Sequence, residues 1–316
     1  MDLDALLFTR RQGRYVTAAL LLTASVVAGA LAATSSATRA ATGQTGAASL
    51  PETQQLVREV KAGLRTDDEL LRQYTFRERR RDVDVTKFGK VRFGPWREFE
   101  VYPSEVPGET YKRLISVDNV PLAPAVLERR DAEHRKTVLD QLEQRRVETP
   151  AQRQKRLAKK AKERQEEQDV IDDVFAVYDI AILGRETLDG RPTIVTSLTP
   201  RPKARTRSDA GKFLKKIRGK AWVNEVDRQV VRAELEAVED VTFGLGLLAR
   251  MHRGSTITFR RTLVNNEIWL PAEARYRLVG KTLIFRKFSL ESTTEFSDYR
   301  KFNVSTTEDV SPTTVK

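Results

Sequence analysis

From Ile268 to Leu278 the residues alternate. Ile268, Leu270, Ala272, Ala274, Tyr276 and Leu278 hold one parity, while Trp269, Glu273, Arg275 and Arg277 hold the other. A period of two with one apolar and one mostly charged row predicts a β-strand in a sheet that is wet on one side only. The same grammar extends over Gly219 to Val304. Gly219–Asn224 is one strand, Glu225–Gln229 a turn and Val230–Glu236 the return. Thr256–Val264 leads into an Asn265-Asn266 turn, because asparagine tolerates positive φ. Gly280-Lys281 is the next expected turn, followed by a strand from Thr282 to Ser289. Such a meander builds a curved antiparallel sheet with an apolar face, and something must cover it. The choices are the chain's own helices, a lipid, or an apolar segment of another protein.

Composition removes many chemistries. Among 316 residues there is no cysteine, so disulfides, thiolate nucleophiles, zinc–thiolate sites and lipidated cysteines are excluded. The only histidines are His134 and His252, which argues against most metal sites and against histidine acid–base catalysis. No cofactor is expected. The formal net charge is +12, with 32% charged residues. Without a glycine-rich phosphate loop or zinc-finger spacing, this reads as an arginine-rich solvated surface rather than a nucleic-acid reader.

Arg10, Arg11 and Arg14 precede an apolar run from Val16 to Ala33 that ends in small residues. That order predicts a signal peptide over 1–33 and export to the periplasm, with an uncleaved inner-membrane anchor as the alternative. Residues 34–50 are an Ala/Thr/Ser/Gly leader. Pro51 then opens an amphipathic helix with Leu56, Val60 and Leu64 at spacing four. Strands are expected around Tyr74–Val85, Trp96–Tyr102 and Tyr111–Val117, with turns at Lys87–Lys90 and Asp118-Asn119. Residues 123–169 are a charged helical insertion split at Thr149-Pro150. Its second helix carries almost only Leu157 as an apolar residue, so it projects into solvent, frays, or docks on a partner. Val174–Leu183 and Pro192–Pro200 read as strands, and Ala210–Ile217 as a short helix. Val241–His252 is an apolar insert, read as a buried crossover or a flap at a cavity mouth.

The hairpin Trp222-Val-Asn-Glu-Val-Asp-Arg-Gln-Val-Val-Arg232, the Ile268-Trp-Leu-Pro271 step and Phe296-Ser-Asp-Tyr-Arg-Lys-Phe302 resemble exported bacterial proteins of the outer-membrane lipoprotein-sorting (LolA/LolB-like) superfamily, especially an acidobacterial-type branch. The resemblance spans roughly Tyr74 to Val304. It implies a mainly β (α+β) domain over 51–304: an open, incomplete antiparallel β-barrel with covering helices and an apolar cavity. Residues 305–316 would be a disordered tail.

The expected function is therefore periplasmic binding or carriage of an apolar ligand, a lipid or the acyl chain of a lipoprotein. The alternative is an envelope interaction or regulatory module that docks on a protein without carrying lipid. Contact with an anionic membrane surface is a further expected partner, and nucleic acid is not. The candidate lining residues are Phe243, Leu245, Leu247, Leu248, Met251, Ile268, Leu270, Tyr276 and Leu278. No enzyme is expected. The neighbouring carboxylates Asp172-Asp173 and Glu239-Asp240 make unconvincing pairs, because adjacent residues of a strand point to opposite faces.

Overall fold

The computed structural model describes residues 49–64, 70–71, 73–85, 91–104, 106, 109–243, 249–281 and 287–302. The expected signal peptide, most of the leader and the tail lie outside the described residues, as does the Lys87–Lys90 turn.

Helix α1 (Thr53–Ala62) is followed by strands β1 (Tyr74–Val85), β2 (Val91–Pro103), β3 (Thr110–Val117) and β4 (Val120–Pro121). The insertion forms α2 (Pro124–Arg146) and α3 (Pro150–Val177). After it come β5 (Tyr178–Leu188), β6 (Arg191–Pro200), α4 (Asp209–Leu214), β7 (Ile217–Asn224) and β8 (Val230–Ala237). The chain then forms β9 (Val241–Phe243), β10 (Ala249–Met251), β11 (Thr256–Val264), β12 (Ile268–Lys281) and β13 (Lys287–Lys301). The main path of the sheet runs β4-β3-β2-β1-β13-β12-β11-β8-β7-β6-β5, with β9 and β10 hanging from β12. Every pairing is antiparallel. The end strands β4 and β5 do not pair with each other, so the sheet stays open.

The turns follow from residue chemistry. Asp118-Asn119, Asp189-Gly190 and Asn265-Asn266 all take positive φ, between 49° and 75°. The first two pairs link their strands directly, the arrangement that primed turns favour for a right-twisted hairpin. Asn224 Oδ1 closes the β7–β8 turn by accepting from the amides of Val226 and Asp227.

Three expectations change. Gly280 and Lys281 are not a turn: they lie in β12, opposite Phe288 and Lys287 of β13. Val174–Val177 are the last turn of α3 rather than a strand, so β5 begins at Tyr178. The row from Ile268 to Leu278 is also not continuous. Arg260 pairs with Glu273 but Arg261 pairs with Pro271, leaving Ala272 as an extra residue. A bulge of this kind shifts the parity of all that follows. Ala274 and Tyr276 pack with Phe259, whereas Ile268 and Leu270 join Leu70, Tyr74 and Val264.

The face of β6 and β7 turned away from α1 is also partly apolar. Val195 and Trp222 alternate with the α1-facing Ile194, Ala221 and Val223, and cluster with Val231 and Trp269. Arg232 covers Trp222 at 4.8 Å, and Glu186 accepts its indole N–H at 2.8 Å. Asp227 accepts the Trp269 N–H at 2.6 Å. Long charged side chains thus cap an aromatic patch, of which alternation alone assigned Trp269 to water.

Candidate apolar ligand site

Among the described residues, an apolar hollow lies between α1 and strands β5–β8. Its roof is Leu56, Val57, Val60 and Leu64, its side wall Val174 and Phe175 at the end of α3, and Leu214 of α4 closes one end. Its floor is Ile180, Thr196, Leu198, Ala221, Val223, Val230, Ala233 and Leu235. The floor is hollow for a local reason: Ala221 and Ala233 are direct cross-strand partners. Two methyl groups side by side, beneath a helix that reaches them through Leu56, leave space that larger side chains would fill.

The cavity measures about 90 Å³. That is smaller than the roughly 150 Å³ that accepts a benzene-sized guest. In this arrangement there is room for a few methylene groups and no more. The lining has little polarity left to offer. Thr196 Oγ1 donates to the Ala221 carbonyl at 3.1 Å, and the Tyr178 hydroxyl donates to the Leu214 carbonyl at 3.3 Å. Burial pushes the Tyr178 phenol above its ordinary pKa, so it stays neutral. With its hydroxyls engaged, the cavity suits an apolar guest.

The roof is lightly held. Only Leu56 of α1 is fully buried. Glu52 caps the helix by accepting from the amides of Gln54 and Gln55, both at 3.0 Å. One ion pair joins Glu59 to Arg228 at 2.7 Å, and another joins Lys61 to Asp172 at 3.0 Å. Arg228 sits at φ 59°, an uncommon region for a branched-free but long side chain, at the β7–β8 turn from which it reaches α1. Gln55 and then Arg228 hold the Glu59 carboxyl below its ordinary pKa, and Lys61 does the same for Asp172.

Asp172 and Asp173 lie on helix α3, not on a strand. Asp172 faces Lys61 and Arg207. Asp173 is 1% exposed and accepts from the Arg207 amide, the Ser208 amide and the Ser208 hydroxyl at 2.6–2.8 Å. It fixes the loop that starts α4. Asp240 accepts from the Arg253 amide and contacts His252 Nδ1 at 2.8 Å. These carboxylates are spoken for by structural partners. Among the described residues no group of His, Asp and Glu has the arrangement of a metal site.

Of the nine residues expected to line a cavity, the three whose side chains are described, Ile268, Leu270 and Tyr276, do not line this one. Leu270 is fully buried between Leu70, Tyr74 and Val264, with Ile268 packed beside it. Tyr276 packs against Phe259 and Ala274, and burial with the nearby Glu78 charge pushes its pKa up to about 12. Phe243, Met251 and Leu278 belong to β9, β10 and β12, and their side chains lie outside the described residues; so do Leu245, Leu247 and Leu248 altogether. What sequence reading missed is the floor. Its signal was the pair of alanines in β7 and β8, set among larger β-formers and preceded by a helix with leucine and valine at spacing four.

No family model matches the chain, and no curated protein matches it. Solved structures do. A putative outer membrane lipoprotein-sorting protein domain from Vibrio parahaemolyticus aligns over 79% of this chain and 92% of its own, at 10% identity and a TM-score of 0.26. A LolA superfamily protein from Nitrosomonas europaea aligns over 80% and 94%, at 10% identity and a TM-score of 0.24. A DUF1329 family protein from Desulfovibrio piger aligns over 72% and 84%, at 12% identity and a TM-score of 0.25. What the chain is similar to among solved structures is thus a set of lipoprotein-sorting, LolA-superfamily and DUF1329 domains.

Proposed function

We propose that this protein binds an apolar ligand, the acyl chain of a lipid or lipoprotein, in the hollow beneath α1, and that α1 is its lid. The observation that supports this reading is the hollow itself: apolar on every side, with its hydroxyls consumed, and roofed by a short helix. An acyl segment burying roughly 300 Å² would gain about 7 kcal/mol at ~25 cal/mol per Å². Part of that gain offsets the ordering of the chain and the displacement of the lid. A volume of about 90 Å³ is small for an acyl chain, so this reading requires α1 to lift. The basic, apolar and small-residue order of residues 10–33 supports a periplasmic setting.

The small volume favours a second reading, in which the hollow receives one or two apolar side chains of a partner protein. Titration with a fluorescent fatty acid separates the two. The account expects saturable binding, weakened at least tenfold by Ala233→Leu, which fills the floor while the far-ultraviolet circular dichroism stays unchanged. Absence of saturable binding, or an unaffected Ala233→Leu variant, rejects the acyl-chain reading.

A further inference from the structure

The helical insertion has chemistry that the hollow does not use. Of α2 only Val138 is buried, and the buried residues of α3 begin at Val170. Residues 150–169 therefore form a helical rod about 30 Å long, at 1.5 Å per residue, that contributes no buried side chain to the body. Residues 143–164, around the hairpin turn, hold nine basic and three acidic residues, a net charge of +6 that is half of the chain's total. All three acids are already engaged: Glu148 with Arg156, Glu143 with Arg146 and Glu163 with Lys159. Arg153, Lys155 and Arg164 are exposed to solvent.

The same surface exposes aliphatic side chains. Leu139, Val147 and Leu157 are 64%, 63% and 51% exposed. On α3, Arg153, Leu157, Lys160 and Arg164 follow the three- and four-residue spacing of one helix face. Cations flanking an exposed leucine, next to an exposed valine at the turn, match the chemistry of an anionic bilayer surface: phosphate outside, hydrocarbon just below. A phosphate-backbone reader would gain nothing from the aliphatics, and an acidic protein surface would match only the charge. We infer that the tip of the α2–α3 hairpin docks on an anionic lipid surface, which would present the hollow to the membrane from which a ligand is drawn or to which it is returned. The inference rests on the hairpin alone and stands or falls independently of the acyl-chain reading.

The test uses the full chain. It has no cysteine, so Ala158→Cys, next to Leu157, accepts a single environment-sensitive fluorophore. Vesicles of phosphatidylcholine with and without phosphatidylglycerol are the probe. The expected result is a rise in emission of about threefold with anionic vesicles at low salt, mostly lost near 0.5 M NaCl, where the screening length falls to a few Å. Phosphatidylcholine alone should give no rise. Adding Arg153→Glu and Arg164→Glu should abolish the response while the helical circular dichroism is retained. No rise with anionic vesicles, an equal rise on neutral vesicles, or an undiminished rise in the charge-reversed variant overturns the inference. So does a rise on double-stranded DNA without one on vesicles.

Discussion

Asp173 shows how much of the molecule turns on single polar contacts. Its carboxylate is buried and takes three donors from the loop leading into α4. Gly211 is glycine for the same reason, since a Cβ there would come within 2.2 Å of Asp173 Oδ2. Asp173→Asn replaces one acceptor oxygen by a donor facing other donors, so it should destabilise the fold by about 1–3 kcal/mol. Urea denaturation measures this, and an unchanged midpoint would remove Asp173 from its role. At this scale the sequence was partly legible. The positive-φ asparagines and aspartates announced their turns through side-chain chemistry. The parity of β12 was not legible, because Ala272 looks like any other small strand residue and its bulge is set by pairing with β11. Trp269 misled for a related reason: alternation counts residues, but not the arginines and carboxylates that fold over an indole.

Among the elements, α1 and the hairpin behave oppositely on paper. Helix α1 is anchored through carboxylates whose pKa values are lowered in the folded state, Glu59 by Gln55 and Arg228 and Asp172 by Lys61. A depressed carboxylate contributes stability that is fully present above its ordinary value, here 4.5 and 3.8, and is lost as pH falls through the lower folded value. Acidification below that range should therefore loosen α1 before the sheet. Hydrogen exchange should show α1 amides gaining exchange on acidification, beyond the intrinsic change, while those of β7 do not; coincident loss of both would contradict a separable lid. Among the described residues the hairpin tip meets the body through a partly exposed pair, Arg145 with Glu109, and such pairs are worth little. Replacing residues 143–164 by a Gly/Ser linker should leave the thermal midpoint within about 2 °C of the parent, which is less than ~1 kcal/mol for a chain of this size. A larger fall would mean that the tip supports the fold. Here the sequence was direct: the near absence of apolar residues after Pro150 marked the second helix as projecting. The end of α3 was not, because Val174, Phe175 and Val177 are good strand formers held helical by contacts with α1 and α4.

Across the whole molecule, the antiparallel open sheet, its covering helices and its charged insertion were legible from periodicity and turns. The position of the hollow was not. It depends on which strands a helix some 160 residues upstream covers, and no local pattern states that. Capping α1 over β5–β8 puts the space beneath Leu56 and over Ala221 and Ala233. The central claim is that α1 must lift to admit an acyl chain. The most direct measurement locks it. Glu59→Cys with Arg228→Cys, in a chain without other cysteines, places two thiols across the lid for a cleavable bifunctional cross-linker. The account predicts that the tethered protein loses fatty-acid binding and regains it when the linker is cut; a tethered protein that binds as tightly as the released one would contradict it.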